Sequence, residues 1–414
     1  MIMSGMKTMQ AFKFRLVPTP EQEHLLSRHA GCVRFVWNKA LDLQKRRLEA
    51  GMPLLTYGDM AKLLTLWRES DEYGFLALAP VPAPAADPQK SRPGDPGSPG
   101  QKEPQTFPPV QEEGREDLLS LSPGNEARPE HDRPGGSSGP STDLSLPKVG
   151  WVKLRLSRQI EGEIKNVTVG ERAGRWSVSI QTEREVPEPL PKTRPAVGLD
   201  LGVATFATLS DGTRIHPAPD LVEAMKRAEE RLSWEQRKLS RKYRKGSKSK
   251  SYRKQKLRVA RAHERVANMR RDFLHKTSTA IGETQAVVHV EDLPIRNMSR
   301  SARGTVESPG KKVSQKSGLN RSILSQGWGI FLTLLGYKLS RNGGRLVRVP
   351  PQYTSQTCSV CGHAAPENRK TQEAFVCGVC GHAENADVNA AKNILRAGQA
   401  RCACSEAKTS ESAA

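Results

Sequence analysis

Two cysteine pairs constrain this chain most. Cys358-Ser-Val-Cys361 and Cys377-Gly-Val-Cys380 are separated by 15 residues. At that spacing two knuckles can each offer two thiolates to one tetrahedral zinc ion, forming a zinc ribbon. Each knuckle runs on as Cys-Gly-His, so His363 or His382 could compete as a ligand, but four thiolates already complete the shell. A catalytic zinc needs an open position, so the expected ion is structural. Seven cysteines arranged this way imply reduced thiols in a cytosolic protein rather than a disulfide framework. Of the three that stand apart, Cys32 is expected in a core, and Cys402 and Cys404 in a polar tail.

At 414 residues the chain is long enough for two or three domains with at least one sizeable core. Lys and Arg outnumber Asp and Glu by 65 to 44, a net charge of +21 that implies a polyanionic partner, nucleic acid first. An anionic membrane surface would attract the same charge. However, the sequence has no run of about 20 apolar residues and no signal-peptide pattern, so the expectation is a cytoplasmic protein with no membrane association.

Residues 1–79 read as an N-terminal strand followed by a helical nucleic-acid-binding region. Residues 11–16 alternate as a strand does, Thr19 offers an N-cap, and Pro20 suits the first helical position. Apolar periodicity over 25–48, interrupted near Gly31, predicts helices. Composition then changes: residues 80–143 hold 14 of the chain's 29 prolines, with Phe107 as the one aromatic, and 80–145 is expected to be disordered. Three alternating runs over 146–190 predict an antiparallel, barrel-like sheet completing the N-terminal domain.

A second α/β unit is expected over 195–349. It opens with a β-meander and continues as a charged helical hairpin over 221–282. A buried strand (AVVHVEDL), a polar loop over 299–316, an amphipathic helix over 322–341 and a further strand (GGRLVRVP) follow. The zinc ribbon spans 350–384, a final helix 385–400 and a disordered tail 401–414. Between Arg237 and Arg258 there are 12 Lys or Arg and no acidic residue. One sign of charge at that density points to a phosphate backbone rather than a merely solvated face. The candidate contacts are Arg237, Lys238, Arg241, Lys242, Arg244, Lys245, Lys248, Lys250, Arg253 and Lys254, with Gly246-Ser247 at the hairpin tip.

Three carboxylates carry the candidate chemistry. Asp200 lies in an apolar strand and Glu291 ends another, and burying either without a partner is costly. Asp387, at the start of the last helix with Asn389 and Asn393, is the third, although a carboxylate there could simply be a helix cap. Together they invite hard divalent cations such as Mg²⁺. Two such ions about 4 Å apart can activate a water and stabilise the leaving 3′ oxygen of a phosphodiester.

GLDLGV, VVHVEDL, SQTCSVCG with its second cysteine pair, and DVNAAKNIL resemble the TnpB (OrfB) proteins of insertion sequences and the related single-RuvC CRISPR effectors. FKFRLVPTPEQEHLL, AGCVRFVWNKAL and GLNRSILSQGWG extend the resemblance to residues 13–73 and 146–397. It implies an RNA-guided DNA endonuclease with an RNase H-like (RuvC) α/β domain, an inserted zinc ribbon, and an N-terminal barrel-like sheet with a helical insertion. Its partners would be DNA and a guide RNA transcribed from the element. Asp200, Glu291 and Asp387 would be the catalytic magnesium-binding triad, and Cys358, Cys361, Cys377 and Cys380 the zinc ligands.

The resemblance breaks over 80–143. Family members carry here helices with a Leu-Gln-Gln stretch and then a Pro-Arg-Phe-Lys-Lys-Lys segment, and this chain has neither. Codons compatible with residues 82–90 and 108–114 spell both when read one base out of frame. A frameshift entered near Val81 and left before Leu146 is therefore expected, and with it weak or absent guided cleavage. The alternatives are a guide-dependent DNA-binding protein that does not cut, and an inactive product of a frameshifted gene.

Overall fold

The computed structural model describes residues 5–78, 117–121, 127–129, 141–187, 189, 194–244, 249–305 and 307–411. They fall into two compact units, Met1–Pro187 and Glu188–Ala414.

In the first unit, β1 (Gly5–Val17) leads into α1 (Pro20–Glu49). Thr19 caps this helix as its sequence predicts: its Oγ1 accepts from the Gln22 amide at 3.3 Å, and Gln22 Oε1 accepts from the Thr19 amide at 3.0 Å. Helix α1 does not break at Gly31. A glycine inside a helix costs only about 1 kcal/mol, less than the rest of this long amphipathic helix supplies. After α2 (Tyr57–Glu69) and a 3-10 segment (Asp71–Leu78) come β2 (Asp117–Leu121), β3 (Ala127–Pro129), β4 (Ser141–Leu146), β5 (Gly150–Arg155), β6 (Glu163–Arg172) and β7 (Arg175–Pro187).

The seven strands form one antiparallel sheet in the order β2-β6-β7-β1-β5-β4-β3. Alternation in β1 buries Phe12, Phe14 and Leu16 against Val178 and Ile180 of β7 and against Leu26 and Ala30 of α1. Cys32 does lie in a core, a smaller one with Val36, Leu64 and Leu76. Two expectations are corrected. The barrel does not close among the described residues, because the end strands β2 and β3 do not pair with each other. Nor is 80–145 without structure: β2 and β3 are the sheet's two end strands and most of β4 lies beside β5, with Leu144 and Leu146 of β4 in the core. The remainder of that stretch lies outside the described residues.

The second unit begins with a meander, β8 (Ala196–Asp200), β9 (Ala207–Leu209) and β10 (Arg214–Ile215). The hairpin helices α3 (Pro219–Lys242) and α4 (Lys250–Thr284) follow, with residues 245–248, including Lys245 and Lys248, outside the described residues. Next are β11 (Val287–Glu291), α5 (Ile295–Met298), α6 (Val313–Gln326), α7 (Trp328–Arg341) and β12 (Arg345–Val349). The sheet order is β10-β9-β8-β11-β12, with β8, β11 and β12 parallel and the meander antiparallel. Apolar side chains of the central strands, together with Leu274 and Ile281 of α4 and Phe331, Leu335 and Leu339 of α7, form the core.

The single helix expected over 322–341 is two helices, and α6 claims the end of the expected polar loop. The break is Gly327 at φ 71°, where an added Cβ would stand 3.0 Å from Leu274 Cδ1. The ribbon strands β13 (Ala374–Val376) and β14 (Ala383–Asn385) precede α8 (Ala386–Glu411). Helix α8 continues past residue 400 through most of the expected tail. Beyond Gly398 the sequence has neither Gly nor Pro to stop it and is rich in helix formers.

Candidate active site and zinc ribbon

Parallel pairing sets Leu199 of β8 opposite Val290 of β11, so the next residues, Asp200 and Glu291, emerge side by side at one sheet end. Helix α8 brings the third carboxylate. Its N-cap is Asn385, whose Oδ1 accepts from the Asp387 and Val388 amides at 3.2 and 3.3 Å, so Asp387 is released from capping.

Asp200 feels the charge of both other carboxylates, although the three do not bring ligand oxygens within 4.8 Å of one another. Burial pushes the Asp200 carboxyl up to about 7, and repulsion from Glu291 and Asp387 adds to it. Burial also raises Glu291, opposed by a hydrogen bond from Thr354 and by the Arg369 guanidinium. Arg369 Nη2 lies 3.5 Å from Asp387 Oδ1. Neither Arg369 nor Thr354 was visible as a site residue in the sequence, because each arrives from the ribbon segment by a tertiary contact. The donor set fits divalent cations: three half-buried carboxylates face one guanidinium, leaving excess negative charge.

The four cysteine sulfurs lie within 4.8 Å of one another and, among the described residues, are the one group of three or more Cys, His, Asp or Glu ligand atoms that do so. Cys358–Cys380 and Cys361–Cys377 sulfur separations are both 3.6 Å, and none of the four cysteines is in a disulfide. A tetrahedral ion with zinc–sulfur bonds of about 2.3 Å sets its sulfurs about 3.8 Å apart, so the cluster fits zinc. The Cys380 amide, 3.5 Å from Cys377 Sγ, is the leading cause holding the Cys377 thiol down to about 6. Cys380, lowered by a backbone hydrogen bond at His382 but raised more by burial and the neighbouring sulfurs, is pushed up to about 12, so the metal-free cluster carries its first thiolate on Cys377. His363 and His382 are not in the cluster. Their carbonyls accept from the Cys358 and Cys377 amides, each at 2.8 Å, and shape the knuckles.

On the hairpin, Arg237, Arg241, Lys242, Arg244, Lys250, Arg253 and Lys254 are exposed, and Lys238 is half-buried with its Nζ 3.3 Å from the Trp234 ring centroid. Gln255 of α4 pins α3 by donating to Glu235 Oε2 at 2.6 Å, a buried polar clasp that leaves the cations outside.

Three family profiles match the chain: a helix-turn-helix domain of OrfB_IS605 over residues 6–52, the OrfB_IS605 family described as "Probable transposase" over 179–302, and a "Cas12f1-like, TNB domain" over 328–394. The chain belongs to the TnpB (OrfB) family of insertion-sequence proteins, relatives of the single-RuvC CRISPR effectors. It is 44% identical to the "Putative RNA-guided DNA endonuclease InsQ" of Escherichia coli (strain K12) over 97% of this chain and 95% of that protein. It is 32% identical to a "Putative RNA-guided DNA endonuclease" of Streptomyces pristinaespiralis over 96% of this chain and 91% of that protein. A cryo-EM structure of a Cas12f1–sgRNA–target DNA complex aligns over 94% of this chain and 99% of that chain, at 17% identity and a TM-score of 0.34, too low to bear on the fold.

Proposed function

We propose that the chain is an RNA-guided, metal-dependent DNA endonuclease of a transposable element, cutting with a RuvC-type site in an RNase H-like domain. The observation that carries this is the meeting of Asp200, Glu291 and Asp387 from two parallel strand ends and one helix start. The antiparallel meander beside three parallel strands supports the RNase H-like reading, and the names of its relatives support guide RNA and DNA as partners.

Divalent ions, when bound, supply an activated water and stabilise the leaving oxygen of the phosphodiester. The chain's own residues do the rest. Asp200, Glu291 and Asp387 hold the cations. Arg369 balances their charge before loading. The hairpin cations grip the phosphate backbone, and the ribbon carries a structural zinc on Cys358, Cys361, Cys377 and Cys380.

The test is cleavage of a guide-matched DNA by the purified chain with its guide RNA and Mg²⁺, beside Asp200→Ala. Cleavage by the first alone supports the reading, whereas equal cleavage by both overturns the site. An inactive product of a frameshifted gene is the second reading, favoured by the proline-dense stretch over 80–143 that departs from the family pattern. The nucleotide sequence across codons 81–146 decides whether that stretch is frameshifted.

A further inference from the structure

Glu291 is held from outside its sheet. Thr354, between β12 and the first cysteine knuckle, is buried, and its Oγ1 donates to Glu291 Oε1, which is nearer than the alternative acceptor, the Pro351 carbonyl at 3.2 Å. The segment around Thr354 is in turn fastened to α8. Asn393 Nδ2 donates to the Thr354 and Thr357 carbonyls at 2.9 and 2.6 Å, and Asn389 Nδ2 donates to the Thr357 carbonyl at 2.8 Å. Asn389 Oδ1 accepts from the amide of Ser359, inside the first knuckle, at 2.9 Å. Arg396 completes the set, donating to Asn393 Oδ1 at 2.9 Å and reaching the Cys358 carbonyl at 3.5 Å.

Asn389 and Asn393 are 0% and 5% exposed, a costly place for two amides unless every donor has a partner. Four residues apart, they occupy one face of the helix that also carries Asp387. One polar network therefore joins a zinc-ligating cysteine, the Asp387 helix and the Glu291 carboxylate.

We propose that Thr354 is a positioning residue for the nuclease site. Its hydroxyl fixes the Glu291 carboxylate in its cation-holding orientation, and the folded zinc ribbon fixes Thr354, so that zinc loading and divalent-ion affinity are linked. The proposal rests on the carboxylate site described above. A threonine needed only for packing is replaceable by valine, which has its shape without its donor. One needed for its hydroxyl is replaceable by serine.

The experiment measures Mn²⁺ binding by the zinc-loaded full chain, by calorimetry and by the electron paramagnetic resonance of free Mn²⁺, for wild type, Thr354→Val and Thr354→Ser. Zinc content and thermal midpoint are recorded for each. Loss of a partner to a metal-binding side chain weakens affinity roughly ten- to hundredfold. The expected result is that weakening for Val, near-normal binding for Ser, and one zinc per chain in all three. Should the valine variant fail to fold, Thr354→Ala removes the hydroxyl without adding bulk and carries the same expectation. Wild-type affinity in the variants lacking the hydroxyl, or equal weakening in Ser and Val, overturns the proposal. Wild-type binding that Asp200→Asn leaves unchanged overturns instead the carboxylate site on which it rests.

Discussion

Gly198 lies so close beneath α8 that an added Cβ would come within 1.9 Å of the Ala391 carbonyl oxygen. Gly198 is two residues before Asp200, and Ala391 is four after Asp387, so this contact sets the height at which the two carboxylates meet. Gly198→Ala must push the helix away, at a cost of about 1–3 kcal/mol or more. The expected outcome is a lowered denaturation midpoint together with weakened divalent-ion binding. An alanine variant as stable as wild type would show that α8 does not dock here.

The raised Asp200 carboxyl gives the proposed metal site a pH dependence whose sign is fixed. Its folded value of about 7 lies above the unfolded 3.8. The native state therefore holds the extra proton between those values, and the metal-free protein loses stability as pH rises through that window. Glu291 is also raised by burial and acts in the same direction. Cation binding requires the deprotonated form, so stabilisation by Mg²⁺ should be large at pH 8 and fade toward pH 5. Thermal midpoints with Mg²⁺ and with chelator across that range check it. A constant Mg²⁺ increment contradicts the assignment.

Asp200→Asn separates charge from shape in the same site. Removing the half-buried carboxylate that the other two repel should stabilise the metal-free protein above pH 7, on the order of 1 kcal/mol or more, and remove its response to Mg²⁺. Chemical denaturation at pH 8 reads both effects. Destabilisation with a retained Mg²⁺ response would mean that Asp200 is a structural carboxylate.

The ribbon should be a unit that zinc holds together. Cys358→Ser removes one ligand, and a strong chelator removes the ion, from a site whose binding energy is also folding energy. Zinc content should fall from one per chain. Protease cleavage should then appear within 350–384, since the ribbon has little other than Phe375 and its cysteines as a core. Unchanged protection after zinc loss would contradict a structural role.

The carboxylates and cysteines were legible in the sequence for different reasons. Asp200 and Glu291 stand out because a charge in an apolar strand demands an explanation, and the cysteines because their spacing matches a tetrahedral ion. Asp387 was ambiguous until Asn385 proved to be the cap. Thr354 and Arg369 carried no signal, since polar residues in a turn-rich segment are ordinary until the fold sets them against Glu291 and Asp387. Gly31 and Gly327 show the limit of local reading. The first sits inside an unbroken helix and the second ends one, and the difference lies in the φ of 71° that packing beside Leu274 imposes on Gly327.

The hairpin charges should act as phosphate contacts. Arg241→Ala, Lys242→Ala, Arg253→Ala and Lys254→Ala combined should weaken nucleic-acid binding most at low salt. If all four touch phosphates, the slope of log affinity against log salt should become shallower by roughly 3 on single-stranded and roughly 3.6 on duplex DNA. Binding curves at several salt concentrations measure this. An unchanged slope would reduce these residues to a solvated face.

The most direct measurement is cleavage of guide-matched duplex DNA by the purified 414-residue chain, carrying its guide RNA, with and without Mg²⁺ and beside Asp200→Ala. The account predicts weak Mg²⁺-dependent cutting that requires the guide and falls to background in the variant while DNA binding persists. Cutting that survives Asp200→Ala would contradict it.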